Sequence, residues 1–330
     1  MTDYASLHQI IRSLGLLERS RPYYLVNLLF VVGLYSIVVG LALNIPPSLL
    51  SIVLISLVWT FASVQTGALG HDANHYQIFS SKRYNDLVAF LCWNMGLGIS
   101  NKWWQDQHND HHFFPNDVNR DPSIDISLMS FSEEQWNKRG SLQRFFIRYQ
   151  HYLYFPMMTF GVIHLRVSGI IFILRNKKDD YITELGGIVF HLILYSVFIF
   201  SILGFKYGLL LMTLHHALQG IYIGIIFAPN HKGMPVITSD FKVDPMLQQI
   251  ITSRNIKGGS IISFFYGGLN YQIEHHLFTN MPRNNLKRAK PIVEQFCRSQ
   301  QISYHETSTQ QSFREIMVCL RRESRISLNK

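Results

Sequence analysis

Four long apolar segments most constrain the fold of this 330-residue chain. They are residues 25–43, 48–70, 185–203 and 207–229, and none of them contains Lys, Arg, Asp or Glu. A bilayer core needs about 20 apolar residues in a helix, because lipid offers no partner to an open backbone group. A buried helix of a soluble protein is the alternative for each segment alone and is disfavoured for all four together. The segments predict an all-α integral membrane protein with four transmembrane helices.

Short polar turns at residues 44–47 and 204–206 join these spans into two hairpins. Of the 30 Lys and Arg residues, only Lys206 falls on the side of the turns. Cytoplasmic loops of membrane proteins carry an excess of Lys and Arg, so both termini are expected in the cytoplasm. We expect one domain, residues 1–330, whose cytoplasmic helical cap is formed by residues 71–184 and 230–330.

The formal net charge of +9 is explained by this topology and by anionic headgroups. No aromatic and basic module typical of nucleic-acid binding accompanies it, so we expect no nucleic acid partner. The three cysteines have no CxxC spacing, which favours free thiols over a disulfide framework.

The apolar segment 155–174 is interrupted by His164 and Arg166. A charged residue at the bilayer centre costs about 2.5–3.5 kcal/mol on insertion scales. We therefore expect an interfacial helix here and not a fifth span.

Three short boxes hold seven of the fifteen histidines: His71-Asp-Ala-Asn-His75, His108-Asn-Asp-His111-His112 and Gln272-Ile-Glu-His275-His276. Residues three and four apart share one face of a helix, so each box aims several imidazoles at one point. Nitrogen ligands without thiolate favour iron, copper or zinc over magnesium or calcium.

The four-span topology places every box, together with His231 after the last span, on one side of the membrane. Eight imidazoles exceed the needs of one metal, since a zinc site takes four ligands at most. Two metals beside a membrane suit oxygen activation on a lipid-like substrate.

In order and spacing, the boxes HxxxH, HxxHH and QxxHH resemble those of the membrane fatty acid desaturases of the histidine-box type. Lys102-Trp-Trp104 before the second box fits this family, and so do Phe227-Ala-Pro-Asn-His231 and Gly267-Gly-Leu-Asn-Tyr-Gln272. The resemblance covers residues 55–297 and is closest to bacterial acyl-CoA and acyl-lipid desaturases of the QxxHH branch.

The resemblance implies a non-haem site of two iron ions that uses O₂ to place a cis double bond in an acyl chain. The implied ligands are His71, His75, His108, His111, His112, His231, His275 and His276. Gln272 stands where many relatives have a histidine, and either ligates or hydrogen-bonds a ligand. Trp103 and Trp104 are candidate substrate contacts, with anchoring at the membrane interface as the alternative.

Each turnover needs two electrons, and these 330 residues contain no haem, nucleotide or iron–sulfur motif. The expected donor is a separate ferredoxin, flavodoxin or cytochrome b5 with its reductase. The substrate is expected to be an acyl-CoA or acyl-lipid. The QxxHH branch includes enzymes that desaturate between an existing double bond and the carboxyl end, which keeps this regiochemistry open for the chain. We expect a bacterial inner membrane and not the endoplasmic reticulum. A di-iron lipid hydroxylase and, more remotely, a metal transporter are the alternatives.

Other polar residues of the spans and boxes have open roles. His215 and His216 lie about 22–24 Å along the helix from His231, too far for the same metals. They either contact a polar partner between spans or line an acyl tunnel. Asp72, Asp110 and Glu274 either orient a histidine or form salt bridges.

Overall fold

A computed structural model describes residues 4–176 and 180–326 of the chain. Those residues are mostly α-helical, with a π-helical segment at Leu91–Gly96 and two short parallel strands, β1 (Asn255–Ile256) and β2 (Glu306–Thr307). The helices are α1 (Tyr4–Ser13), α2 (Arg21–Asn44), α3 (Leu49–Asn74), α4 (Lys82–Phe90), α5 (Asn101–Phe113), α6 (Glu133–Lys138), α7 (Ser141–Ile147), α8 (Gln150–Met158), α9 (Gly161–Asn176), α10 (Tyr181–His231), α11 (Pro245–Ile251), α12 (Ser260–Phe265), α13 (Gln272–Leu277), α14 (Arg283–Ser299) and α15 (Thr309–Ile326).

Helices α2 and α3 form the first predicted hairpin. Pro46 and Pro47 follow the end of α2, and neither can continue a helix in that position. Ser48 then caps α3, because its hydroxyl accepts a hydrogen bond from the Ser51 amide. Apolar side chains of the two helices meet near the turn, where Val38 and Ile52 are fully buried.

Helix α10 is the second predicted hairpin, and its backbone breaks at the predicted turn. Gly204 has a φ of 69° and a ψ of 175°, which no helical residue adopts. The Tyr195 hydroxyl lies 3.0 Å from His215 Nδ1. Twenty residues of straight helix would separate these positions by about 30 Å, so the two halves run antiparallel.

By length and composition, the described residues contain three helices able to cross a membrane: Arg21–Asn44, Leu49–Asn74 and Tyr181–His231. The pair α8 and α9 forms a fourth candidate, bent by 78°. Pro156 lies inside α8, just before this bend. The prediction of an interfacial helix at 155–174 stays a prediction, as do the four-span topology and the cytoplasmic cap.

The described residues fall into two compact units. The first unit comprises residues 4–18, 106–154 and 225–326, and the second comprises residues 19–105, 155–176 and 180–224. In the first unit, α1, α11, α13 and α14 pack around an apolar core that includes Leu7, Ile273 and Leu286. The assignment of one domain to residues 1–330 stays a prediction.

Candidate metal centre

A histidine-rich site in the first unit contains six imidazoles. Five belong to α5 and α13, and the sixth is His231. Helix α5 carries His108, His111 and His112, and the pair four residues apart shares one face. Helix α13 carries His275 and His276, whose ring planes are nearly perpendicular, with an interplanar angle of 89°. Adjacent histidines on each of these helices therefore belong to different histidine groups.

The first histidine group consists of His108, His112 and His275. One ring nitrogen of each lies within 4.8 Å of the others. His108 Nε2 and His112 Nε2 are 3.0 Å apart, and the His112 and His275 ring centroids are 4.8 Å apart. This spacing suits three imidazoles that share one cation.

The second histidine group consists of His111, His231 and His276, and all three are buried. Their ring nitrogens again lie within 4.8 Å of one another. His231 is the last residue of α10, so the outlying histidine of the sequence meets box two and box three.

Hydrogen bonds on the far side of each ring set the tautomers of the second group. His111 Nδ1 lies 3.0 Å from an Asp121 carboxylate oxygen, His231 Nδ1 lies 3.0 Å from the Thr252 carbonyl, and His276 Nδ1 lies 2.8 Å from Gln249 Oε1. Each acceptor requires a proton on Nδ1, so Nε2 carries the lone pair in the neutral ring. This is the usual arrangement around metal-bound histidine.

The donor set fits a late first-row metal. His111 Nε2 and His231 Nε2 face each other at 3.3 Å with both lone pairs turned inward. Two such lone pairs repel, and a cation between them would remove the repulsion. Imidazole nitrogen suits iron, copper or zinc, whereas magnesium and calcium prefer oxygen.

Asp121 is a site residue that the sequence analysis missed, because it lies outside the three histidine boxes. It is buried, and its carboxylate also accepts from the Asn116 amide at 2.7 Å. Burial would raise the pKa of this carboxyl, but the adjacent His111, the charge of Lys232 and a bond from Ser123 hold that pKa well below its usual range. Asp121 therefore stays ionised and orients His111.

Gln272 lies beside His231. Its Nε2 donates to His231 Nε2 at 3.0 Å, and its Oε1 accepts from Asn230 Nδ2 at 2.9 Å. The Asn230 bond fixes which end of the amide faces the histidine. In this arrangement the Gln272 N–H occupies the Nε2 lone pair of His231 that a metal would take, so the role of Gln272 as a ligand or as a hydrogen-bonding neighbour stays a prediction.

Arg254 holds the backbone on both sides of His231, and the sequence analysis did not single it out. Its fully buried guanidinium donates to the Pro229 carbonyl at 2.7 Å and to the Lys232 carbonyl at 3.2 Å. Glu315 balances its charge at 3.0 Å. Arg254 therefore fixes the backbone on both sides of the outlying histidine.

The three box carboxylates differ in their surroundings. Asp72 lies 3.2 Å from His71 Nδ1, as expected for an orienting group. Glu274 instead accepts from Asn255 and from the Tyr304 hydroxyl, both at 2.7 Å, and burial raises its pKa. Glu274 thereby holds α13 in place. Asp110 is exposed.

Box one lies in the second unit. His71 and His75 are buried at the end of α3, with ring centroids 4.7 Å apart. Trp104 lies against His71 at 5.7 Å and stacks on Trp93 at 4.6 Å. Trp103 is partly buried in the same apolar cluster, so both candidate substrate contacts also have packing roles.

A profile of the fatty acid desaturase family matches residues 43–308. The chain belongs to the fatty acid desaturase family. The acyl-lipid (9-3)-desaturase of Physcomitrium patens is 30% identical over 326 residues, which cover 93% of this chain and 60% of that protein. The Delta(8)-fatty-acid desaturase 1 of Arabidopsis thaliana is 28% identical over 336 residues, 93% of this chain and 71% of the relative.

A third member of the desaturase family, the Delta(5) fatty acid desaturase fat-4 of Caenorhabditis elegans, is 28% identical over 321 residues, 92% of this chain and 69% of the relative. The chain thus spans between 60% and 71% of the length of these three desaturases. The family assignment made from the boxes is confirmed. All three relatives are eukaryotic, so they lend no support to the expected bacterial inner membrane, which stays a prediction.

Proposed function

We propose that this chain is an oxygen-dependent fatty acyl desaturase. One observation above all supports the proposal: two groups of three histidines in one compact unit, with the Nδ1 atoms of one group fixed by Asp121, Thr252 and Gln249. A general acid or base is of no use on an unactivated C–H bond, so this chemistry requires a redox cofactor.

We propose that the cofactor is a pair of iron ions. The proposed ligands are the eight histidines of the boxes and the outlying position: His71, His75, His108, His111, His112, His231, His275 and His276. When bound, the pair supplies O₂ activation and hydrogen removal. Burial of the second histidine group excludes bulk water, and Gln272 offers an N–H to a ligand bound beside His231.

The overall reaction balances with an external reductant. Two hydrogens leave adjacent methylene carbons, a carbon–carbon double bond forms, and these hydrogens, two donor electrons and two protons reduce O₂ to two water molecules. A ferredoxin, a flavodoxin or a cytochrome b5 would supply these two electrons. We propose that such a donor lies outside these 330 residues, since their motifs supply no redox group beyond the histidines.

The substrate proposal rests on the relatives. Their names specify (9-3), Delta(8) and Delta(5) desaturation, which favours insertion between an existing double bond and the carboxyl end. The relative from Physcomitrium patens is named an acyl-lipid desaturase. We therefore propose a glycerolipid-bound acyl chain, ahead of an acyl-CoA.

Metal analysis combined with oxygen uptake tests the proposal on the purified chain. We expect about two irons per chain and oxygen uptake that requires both reduced donor and acyl lipid. Acyl-CoA as the better substrate would overturn the carrier assignment, and hydroxy acyl products would move the chain to the lipid hydroxylases. Iron that exchanges across a vesicle membrane without oxygen uptake would indicate a transporter and contradict the proposal.

A further inference from the structure

The segment that leads into box two has irregular backbone. The π-helical segment Leu91–Gly96 is followed by Gly98, whose φ is +66°, and α5 then begins at Asn101. A change from π-helix through a left-handed residue to α-helix leaves carbonyls and amides without helical partners. Buried groups of this kind need other partners to be tolerated.

Arg166 supplies hydrogen-bond donors to a carbonyl of this segment. Its Nε and Nη2 donate to the Leu97 carbonyl at 3.0 and 2.8 Å. The same guanidinium donates to His191 Nε2 at 3.1 Å and to His216 Nε2. Among the described residues, every acceptor bonded to Arg166 is uncharged.

The tautomers of both histidines fit this role. His191 Nδ1 lies 3.0 Å from the Met95 carbonyl, and His216 Nδ1 lies 2.6 Å from the Met212 carbonyl. A proton on each Nδ1 makes each Nε2 an acceptor for Arg166. His191 therefore bonds a second carbonyl of the irregular segment while it accepts from the guanidinium.

Glu184 supplies a hydrogen-bond acceptor to donors of the same segment. One buried carboxylate oxygen accepts from the Ser100 hydroxyl at 2.7 Å, from Asn94 Nδ2 at 2.9 Å and from the Lys102 amide at 3.3 Å. The Ser100 hydroxyl in turn accepts from the Trp103 amide at 3.1 Å, as an N-cap does.

The backbone around these two groups packs closely against neighbouring side chains and backbone. A Cβ on Gly98 would lie 2.5 Å from His191 Cδ2, and a Cβ on Gly169 would lie 3.1 Å from Ser100 Cβ. The segment from Asn94 to Lys102 is thus held by Arg166 and Glu184 and by close packing.

We infer that Arg166 and Glu184 are positioning residues for box two: together they fix the start and the direction of α5. This inference rests on the proposed function. Helix α5 runs unbroken to Phe113, so His112 lies about 18 Å along the axis from Ser100. A tilt of about 10° at that start would move His112 by about 3 Å, whereas metal–ligand distances tolerate about 0.2 Å.

Two conservative substitutions, each with a matched control, test the inference in the full-length purified protein. Arg166→Lys keeps the charge but cannot bond Leu97, His191 and His216 at once, and its control is Arg175→Lys on the exposed end of the same helix. Glu184→Gln keeps the shape but weakens the acceptor, and its control is Asp86→Asn, which removes the charge from an exposed pair with Lys82 outside residues 97–104.

Hydrogen–deuterium exchange and iron content are the readouts, each normalised to folded, monodisperse chain. We expect exchange in peptides covering residues 97–104 to rise about tenfold in Arg166→Lys and Glu184→Gln, as for a lost hydrogen bond to a charged group. Iron affinity, measured by chelator competition, is expected to fall about tenfold, and both controls should match the wild type.

Unchanged exchange at residues 97–104, or faster exchange spread evenly over the chain with iron affinity intact, would overturn the inference and leave these residues as general stabilisers. A wild-type chain that neither binds iron nor desaturates would instead overturn the proposed function, and the exchange result would still decide whether Arg166 and Glu184 fix α5.

Discussion

At the scale of single residues, the site depends on the groups that accept hydrogen bonds from the histidine Nδ1 atoms as much as on the histidines. Asp121 is the strongest of them, because it is ionised, buried and 3.0 Å from His111 Nδ1. An anionic partner raises the basicity of the ring and holds its orientation.

Asp121→Asn should therefore weaken iron binding by about 10- to 100-fold, the usual effect of such partners, with the fold retained. Competition with a chelator measures the affinity directly. Asp125→Asn is the matched control, since Asp125 is exposed and pairs only with Arg139 at 2.7 Å. Equal affinities for both variants would contradict the role of Asp121.

The box histidines stand out in the sequence because their spacing places them on one face of a helix, and their role as ligands stays a prediction. Asp121, Thr252 and Gln249 do not stand out, because each reaches its histidine across the fold and not along a helix. Thr252 acts through its backbone carbonyl, which leaves no signal in the residue type. The proton on Nδ1 of three rings is thus a property of tertiary structure.

At the scale of helices, close approach of backbone to side chain constrains box one. Gly70 directly precedes His71, and a Cβ there would lie 2.6 Å from Trp93 Nε1 and 2.9 Å from Cys92 Cβ. Alanine at this position must displace α3 or the π-helical segment.

Gly70→Ala should lower the thermal stability in detergent, since overpacking of this kind costs about 1–3 kcal/mol. Gly67→Ala on the same helix meets only Leu97 Cδ1 at 3.5 Å, an ordinary contact. That control should be neutral or stabilising by up to about 1 kcal/mol, because alanine favours helix over glycine. A loss of stability in both variants would contradict the argument from packing.

The sequence predicted the hairpin turns well, since Pro46 and Pro47 stop one helix and Gly204 breaks another. It did not predict the bend between α8 and α9 or the π-helical segment before box two. Both involve contacts between residues distant in sequence. Arg166 bonds the Leu97 carbonyl, and the backbone at Gly220 lies so close to the Met158 carbonyl that a Cβ would clash with it.

At the scale of the whole molecule, the positive-inside rule makes a prediction about topology. In a background without Cys92, Cys297 and Cys319, we expect Lys206→Cys and Arg298→Cys to lie on opposite sides of the membrane. Both positions are exposed. A membrane-impermeant maleimide added to intact cells should label only Lys206→Cys; labelling of both or of Arg298→Cys alone would contradict the four-span topology.

The central claim is that the histidine groups hold the metals of an acyl desaturase. Gas chromatography and mass spectrometry of total fatty acids test it most directly, in a desaturase-deficient host that expresses either the wild type or His111→Ala. We predict a new unsaturated acid, with its double bond located by derivatisation, in the wild type only, and equal membrane insertion of both chains. The same new acid in His111→Ala, or hydroxy acids in the wild type, would contradict the account.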